Sequence, residues 1–206
     1  MLDKNFLRVI KKIESVHKTF AKVGSTKEYE KFWPIGKIIN FPSISRNSAK
    51  VIYNLILKNK PKIVIELGTC IGYSTLWIAQ ASKDYNGKVY TIDLSKKEQD
   101  FAKIFFKKAK LTNIKTVNSE ISKAIEKWPK NKKIDFLFID ADKNNYLNYL
   151  KKLEPFLNKK AIIVADNILS HKELLNSYVD YLKNNQNYKT TLIRIDKGLL
   201  VSRRIQ

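Results

Sequence analysis

Apolar residues in the second part of the chain form short runs that alternate with longer stretches of helical periodicity. Five of these runs are rich in β-branched residues and bounded by polar or turn-forming residues, which is typical of buried strands. They span residues 62–67, 88–93, 114–118, 134–140 and 161–166. Strands that alternate with helices predict an α/β domain with a mostly parallel sheet.

The stretches between the runs carry apolar residues at three- and four-residue spacing, which predicts amphipathic helices on both faces of the sheet. These residues are Phe101, Ile104 and Phe105 in one helix, Tyr146, Leu150, Leu153 and Leu157 in the next, and Leu174, Leu175, Tyr178, Val179 and Leu182 in a third. Residues 188–196 and 198–204 predict a terminal antiparallel pair that turns at Lys197 and Gly198, which makes seven strands.

The first fifty residues have a different pattern. A Lys-rich helix is predicted over residues 4–23 and another around residues 49–56, while Pro34 and Pro42 break regular structure between them. We expect one domain, in which residues 1–58 form an N-terminal helical cover on an α/β core of residues 59–206.

The composition is strongly basic, with 40 Lys and Arg against 19 Asp and Glu and a formal net charge of +21. Clustered basic residues bind polyanions and release counterions, so the charge is compatible with a nucleic-acid partner. It is equally compatible with a compositional bias toward Lys, because the excess is spread along the whole chain. The sequence leaves both explanations open.

Two classes of protein are disfavoured by the sequence. The longest apolar runs fall far short of the roughly 18 residues that a membrane span needs, and the N-terminus lacks the apolar segment of a signal peptide. We therefore expect a cytoplasmic protein without a membrane partner. Cys70 is the only cysteine, so the chain has neither an internal disulfide nor a cysteine metal cluster.

Acidic residues occur at or near the ends of four predicted strands, namely Glu66, Asp93, Asp140 and Asp166. Ligands of open α/β sheets bind beyond the carboxyl ends of the strands, where these four side chains would converge. A strand-end acid can also simply cap the following helix. Four of them in one sheet favour a ligand-binding crevice.

The first strand is followed by a glycine-containing loop that opens a helix, "ELGTCIGYSTLWIA". Gly68 and Gly72 permit a tight turn at a helix N-terminus, but Cys70 and Tyr73 stand where a dinucleotide-binding GxGxxG loop would have glycines. S-adenosylmethionine (SAM) has no pyrophosphate and needs only the turn. Asp93, 21 residues after Gly72, is placed to bind its ribose hydroxyls.

A second group of polar residues lies in "IDADKNNY" and "VADNIL". Asp140, Asp166 and Asn167 would place two carboxylates and an amide oxygen around one point, a hard oxygen set that suits Mg²⁺. Lys143, three residues after Asp140, can reach the same point and act as a base. Asp142 is interpreted as a helix-start acid. His171 is expected on a helix surface, close enough to "DNIL" to touch a substrate.

With these residues, the chain resembles the cation-dependent SAM O-methyltransferases, the family of catechol and caffeoyl-CoA O-methyltransferases and their bacterial and archaeal members. The similarity runs through most of the chain. Its motifs are "FPSIS" at 41–45, "ELGTCIGYSTLWIA", "VYTID", "FIDADKNNYLNYL", "VADNIL" and the closing "GLLVSRR". The resemblance implies a Rossmann-like SAM-methyltransferase fold.

The resemblance also implies roles for individual residues. Asp140, Asp166 and Asn167 would be the ligands of Mg²⁺, or of Mn²⁺ or Ca²⁺ in its place, and Lys143 would be the general base, with Asp140 beside it. The SAM-binding residues would be Ile44, Glu66, Gly68, Ser74, Asp93, Ser119 and Asp140.

The implied activity is methyl transfer from SAM to a metal-chelated hydroxyl of a small catechol-like acceptor, by a homodimer. The alternative is a tRNA methyltransferase that acts on a hydroxylated uridine. Residues 170–187 differ from the segment that shapes the acceptor pocket in relatives, so the resemblance does not identify the acceptor.

Overall fold

The structure is a computed structural model that describes residues 2–23 and 44–205. Residues 24–43 lie outside the described residues; they include Pro34, Pro42 and the first three residues of "FPSIS". A seven-stranded sheet forms the centre of the molecule. Its strands are β1 (Ile63–Leu67), β2 (Lys88–Asp93), β3 (Ile114–Asn118), β4 (Ile134–Ile139), β5 (Leu157–Ala165), β6 (Tyr188–Ile193) and β7 (Leu199–Arg204).

The strand order is β3-β2-β1-β4-β5-β7-β6. The pairs from β3 to β5 are parallel, whereas β7 runs antiparallel to both β5 and β6. This confirms the predicted, mostly parallel sheet with a terminal antiparallel pair. The winding reverses between β1 and β4, so a crevice opens at the carboxyl ends of these two strands.

Helices cover both faces of the sheet, as predicted. They are α1 (Lys4–Val23), α2 (Arg46–Asn59), α3 (Tyr73–Ser82), α4 (Lys96–Lys108), α5 (Ile121–Glu126), α6 (Tyr146–Leu153) and α7 (Lys172–Asn184), with short 3₁₀ helices at Lys83–Tyr85, Lys143–Asn145 and Glu154–Phe156. None of these described helices is long and apolar enough to cross a membrane.

Alternation along the strands sends neighbouring side chains into two separate cores. Val64 packs with α1 to α4 on one face, whereas the next residue, Ile65, packs with α5 to α7 on the other. The central strands are therefore buried on both sides, which explains why they read as continuous apolar runs rather than alternating ones.

Several predicted boundaries were wrong. Leu157 was assigned to a helix but is the first residue of β5, because Pro155 cannot continue the α6 ladder and the chain leaves the helix through a 3₁₀ turn. The strand predicted to run to residue 196 ends at Ile193, and the chain turns through Asp196 and Gly198, which both have positive φ. Asp140 and Asp166 follow their strands directly instead of ending them.

The N-terminal helix α1 contributes to the same core as the sheet. Phe6 is fully buried and meets the Trp77 ring of α3 edge-on, with 5.0 Å between ring centroids. Farther along α1, Glu14 accepts a 2.6 Å hydrogen bond from the Tyr73 hydroxyl. The same carboxylate forms an ion pair with Arg46. These contacts tie α1 to the starts of both α2 and α3.

We expect Phe6→Ala to lower the free energy of unfolding by about 3–5 kcal/mol, because it removes a buried aromatic ring and leaves a cavity. Denaturant unfolding would measure this change. The matched control is Leu57→Ala, which truncates a side chain that is 41% exposed and should change stability by less than about 0.5 kcal/mol. Equal stabilities of the two variants would show that α1 is not part of the core.

Candidate active site

The loop after β1 passes unusually close to the end of β4. Gly68 has φ +97°, and a Cβ atom there would lie 2.2 Å from the carbonyl oxygen of Asp140. Hydrogen bonds from Gly68 N to Ile92 O (2.9 Å) and from Asp140 N to Leu67 O (3.0 Å) fix this approach. Glycine is thus required both by the backbone conformation and by the space available.

Asp93 is part of the framework of this loop. Its Oδ2 accepts hydrogen bonds from the backbone N–H groups of Thr69 (2.8 Å) and Cys70 (3.0 Å), and its Oδ1 accepts one from Ser95 N (2.9 Å). The carboxylate of β2 therefore holds the turn that follows β1. Ser119, at the end of β3, donates its backbone N–H to Asp93 O at 3.0 Å.

Glu66 is buried beneath the loop. Its Oε2 accepts a short hydrogen bond from the Thr75 hydroxyl, while its Oε1 has no partner among the described residues. Burial raises the pKa of the Glu66 carboxyl to about 7; hydrogen bonds from neighbouring hydroxyls oppose this shift and the nearby Asp140 charge adds to it.

Lys143 lies beside Asp140 at the start of the 3₁₀ helix that leads into α6. Its Nζ is 2.9 Å from Asp140 Oδ1 and donates to the carbonyl oxygen of Ala141, also at 2.9 Å. The same Nζ lies 5.6 Å from the centroid of the buried Tyr146 ring. Asp142 caps this helix by accepting from Asn144 N, which confirms its interpretation as a helix-start acid.

Asp166 and Asn167 follow β5 and are both buried. Asp166 Oδ1 has no hydrogen-bond partner in the described part of the chain. Burial, together with the negative charge of Asp140, raises the pKa of Asp166 to about 6. Asn167 has φ +68°, a left-handed conformation that Asn tolerates better than most residues.

These residues fit a hard divalent cation. Two neighbouring carboxylates, one of them with a buried unpartnered oxygen, and an amide form the oxygen-rich donor set that such ions prefer. Over residues 2–23 and 44–205, no cluster of three or more His, Cys, Asp or Glu side chains offers a competing site.

A cavity of about 250 Å³ joins the loop after β1 to this donor set. Seven of the predicted site residues lie in its wall: Ile44, Gly68, Ser74, Asp140, Lys143, Asp166 and Asn167. The other three, Glu66, Asp93 and Ser119, are not in the wall. Asp93 holds the loop through Thr69 and Cys70, Glu66 accepts a hydrogen bond from Thr75 in the first turn of α3, and Ser119 adjoins Asp93.

Two further residues line the cavity. His171 has the position expected for it: it is exposed at the N-cap of α7, close to "DNIL", and its Nδ1 lies 2.9 Å from the Ser170 hydroxyl. Lys197 was seen only as a turn residue. Because β7 is antiparallel to β5, the turn before β7 lies at the same edge of the sheet as the end of β5. The predicted antiparallel strand was therefore the one signal in the sequence that could have placed Lys197 at the site. Cys70 also lines the cavity, but burial raises the pKa of its thiol, so it is a poor nucleophile.

The raised pKa of Glu66 predicts a pH-dependent stability. The native protein binds this proton more tightly than the unfolded chain, whose carboxyl titrates near 4.5, so stability is lost as the pH rises from about 4.5 through 7. Between pH 5 and 8, the parent should lose on the order of 3 kcal/mol of unfolding free energy relative to Glu66→Gln. Urea unfolding at both pH values measures the difference, and parallel pH profiles would contradict it.

Comparisons with known proteins agree with this geometry. A family model described as O-methyltransferase matches residues 30–206. The chain is 33% identical over 138 residues to a catechol O-methyltransferase of Niastella koreensis, which covers 65% of this chain and 61% of that protein. It is 28% identical over 180 residues to caffeoyl-CoA O-methyltransferase 2 of Petunia hybrida, which covers 81% and 71%. The match thus spans less than two thirds of the Niastella protein.

Solved structures share the fold at low sequence identity. An O-methyltransferase from Bacillus cereus in complex with SAH superposes with a TM-score of 0.76 at 19% identity, covering 95% of this chain and 99% of that one. A methyltransferase from Geobacter sulfurreducens gives 0.72 at 20% identity, covering 93% and 98%. These likenesses confirm the predicted Rossmann-like methyltransferase fold. Because the family model matches most of its length, the chain belongs to the O-methyltransferase family.

Proposed function

We propose that this protein transfers the methyl group of SAM to a metal-chelated hydroxyl of a small catechol-like acceptor. The observation that carries the proposal is that one cavity combines a tight glycine loop, an oxygen donor set and a lysine in its wall. The catechol and caffeoyl-CoA O-methyltransferases among the relatives support the choice of an oxygen acceptor with neighbouring hydroxyls.

SAM would be held by the loop after β1. Gly68 and Ser74 line the cavity at this loop and Ile44 also lies in the wall; we assign all three to direct contact with SAM. Asp140 lies against Gly68. Asp93 shapes the loop through Thr69 and Cys70, and we assign it and Ser119 to the ribose and adenine side. Glu66 would act from beneath the loop. When bound, SAM supplies a methyl group on a positively charged sulfur.

A divalent cation, Mg²⁺ or Mn²⁺ or Ca²⁺ in its place, would be held by Asp140, Asp166 and Asn167. Its chemical contribution when bound is Lewis acidity, which lowers the pKa of a chelating hydroxyl. The protein contributes the fixed positions of the three ligands: Asp140 and Asp166 each follow a central strand, and the backbone N–H of Asp166 donates to Ile139 O at 3.1 Å.

Lys143 would take the proton from the acceptor hydroxyl at its Nζ. The resulting ammonium is held by the Asp140 carboxylate and the Ala141 carbonyl, both at 2.9 Å, and by the Tyr146 ring behind it. These contacts keep the nitrogen on the side of the cavity where Asp140 and Asp166 meet. The proposed proton transfer therefore occurs beside the chelated hydroxyl.

The reaction is tested by methyl transfer from labelled SAM to a panel of catechols and to tRNA that lacks the modification, each with and without excess chelator. Catechol methylation that stops with chelator supports the proposal. Methylation of tRNA alone, lost steeply with added salt, would instead support the alternative.

The predicted homodimer and cytoplasmic location stay predictions.

The role of Lys143 predicts a selective loss of rate. We expect Lys143→Ala to lower the rate of methyl transfer by roughly 10² to 10⁴, the usual share of a general base, while SAM binding measured by calorimetry stays nearly unchanged. Raising the pH should partly restore the rate, because the hydroxyl then loses its proton to solvent. Lys151→Ala, on the exposed side of α6, is the control. Full activity of Lys143→Ala would remove Lys143 from the mechanism.

The role of Asp166 predicts a change in metal affinity. Asp166→Asn should weaken Mn²⁺ binding by at least roughly tenfold, because one carboxylate ligand is lost. In the parent, Mn²⁺ binding should also weaken as the pH falls through about 6, where protons compete for Asp166. Titration calorimetry with Mn²⁺ measures both effects. Asp142→Asn changes an exposed carboxylate nearby and serves as the control; equal losses in the two variants would contradict the assignment.

A further inference from the structure

Lys197 lies in a turn that is fixed against the segment carrying the metal-ligand candidates. Its carbonyl oxygen accepts the backbone N–H of Leu169 at 2.8 Å, and the carbonyl of the next residue, Gly198, accepts that of Ile168 at 3.1 Å. Gly198 has φ +85°, and a Cβ atom there would lie 2.5 Å from the Leu169 side chain. The backbone of Lys197 therefore has a defined place relative to Asn167.

The other side of this turn is anchored to the N-terminal part of the chain. Asp196 accepts a hydrogen bond from the Ser48 hydroxyl at 3.0 Å and a short one from the Ser45 hydroxyl. Ser45 is the N-cap of α2, next to Ile44 of the cavity wall, and Ser48 lies in the first turn of the helix. The carboxylate of Asp196 is thus occupied by hydroxyl groups.

The side chain of Lys197 lines the cavity and has no ion-pair partner among the residues that the structure describes. Lys143, by contrast, is paired with Asp140. Lys197 is close enough to the donor set that its positive charge lowers the pKa of Asp166, against the larger effect of burial. It thus adds a cationic group at the wall without a carboxylate to neutralise it.

The position of Lys197 along the sheet edge decides which part of an acceptor it can meet. In the order of the strands, the loop after β1 comes first, Asp140 after β4 next, Asp166 after β5 next, and Lys197 before β7 last. Lys197 is therefore separated from the proposed methyl donor by the proposed metal ligands. A methyl acceptor that lies between SAM and the proposed metal ligands would direct the end remote from its reacting hydroxyls toward Lys197.

We propose that Lys197 makes the site selective for catechols that carry a carboxylate on the ring, remote from the reacting hydroxyls. This inference rests on the proposed function and narrows its acceptor. The charges of the wall agree with it: even with Lys143 as a neutral base, the ammonium group of Lys197 and a divalent cation together exceed the charge of the two carboxylates, Asp140 and Asp166, and favour an anionic acceptor. His171, at the same end of the cavity, supplies a further polar group.

The test compares 3,4-dihydroxybenzoate with its neutral analogue, 3,4-dihydroxybenzyl alcohol, in the parent and in Lys197→Gln. The ratio of kcat/KM for the acid over the alcohol should fall by at least roughly tenfold in the variant, the effect of losing one charge-assisted contact, mainly through KM. Lys189→Gln removes the same charge from the far end of the same hairpin and should leave the ratio unchanged. Calorimetric binding of both compounds, with SAH and Mg²⁺ present, gives a readout that is independent of turnover.

The outcomes separate this inference from the function on which it rests. If both catechols are methylated and Lys197→Gln leaves their ratio and their affinities unchanged, the selectivity is overturned and the O-methyltransferase function stands. If neither catechol is bound or methylated, the proposed function fails and the inference fails with it. Methylation of tRNA with no response to either catechol would likewise overturn both.

Discussion

The site depends on the contact of two backbones at the point where the sheet reverses its winding. Because Gly68 has no side chain, the loop after β1 can lie against the carbonyl of Asp140 after β4. Any Cβ atom would push the two strand ends apart, and with them the glycine loop and the acid beside it. The loop proposed to hold SAM and the oxygen atoms proposed to hold the metal can share one cavity only because these two backbone segments touch without a side chain between them.

Around this contact the protein buries polar atoms that its own hydrogen bonds do not satisfy. Within the described residues, Glu66 Oε1 and Asp166 Oδ1 are buried without partners, and such an atom typically costs about 1–3 kcal/mol. Both lie at the carboxyl edge of the central strands, where the pKa values of Glu66 and Asp166 are raised. Perturbed and unsatisfied acids gathered at one place mark a functional site better than any one of them does alone.

Much of the fold and part of the site could be predicted because their signals are local. Central strands buried on both faces form continuous apolar runs, and the acids at their ends are adjacent to them in sequence. The helix assigned to Leu157 failed because apolar spacing continues across Pro155, which ends the helix. Lys197 could not be assigned to the site from spacing. Its position depends on the pairing of β5 with β7, which is long-range information.

The surplus of lysines shows why residue type and net charge carry so little functional information here. Lys151 lies over the Tyr181 ring on the exposed side of α6 and is not among the residues that line the cavity. Lys143, on the 3₁₀ turn before the same helix, is held between Asp140 and a buried ring. Lys197 lines the same cavity from a turn fixed by Asp196. All three lysines contribute equally to the formal net charge of +21, so this charge does not distinguish them. What distinguishes Lys143 and Lys197 is that the sheet places both at its carboxyl edge, where the positive charge of each acts on the buried Asp166.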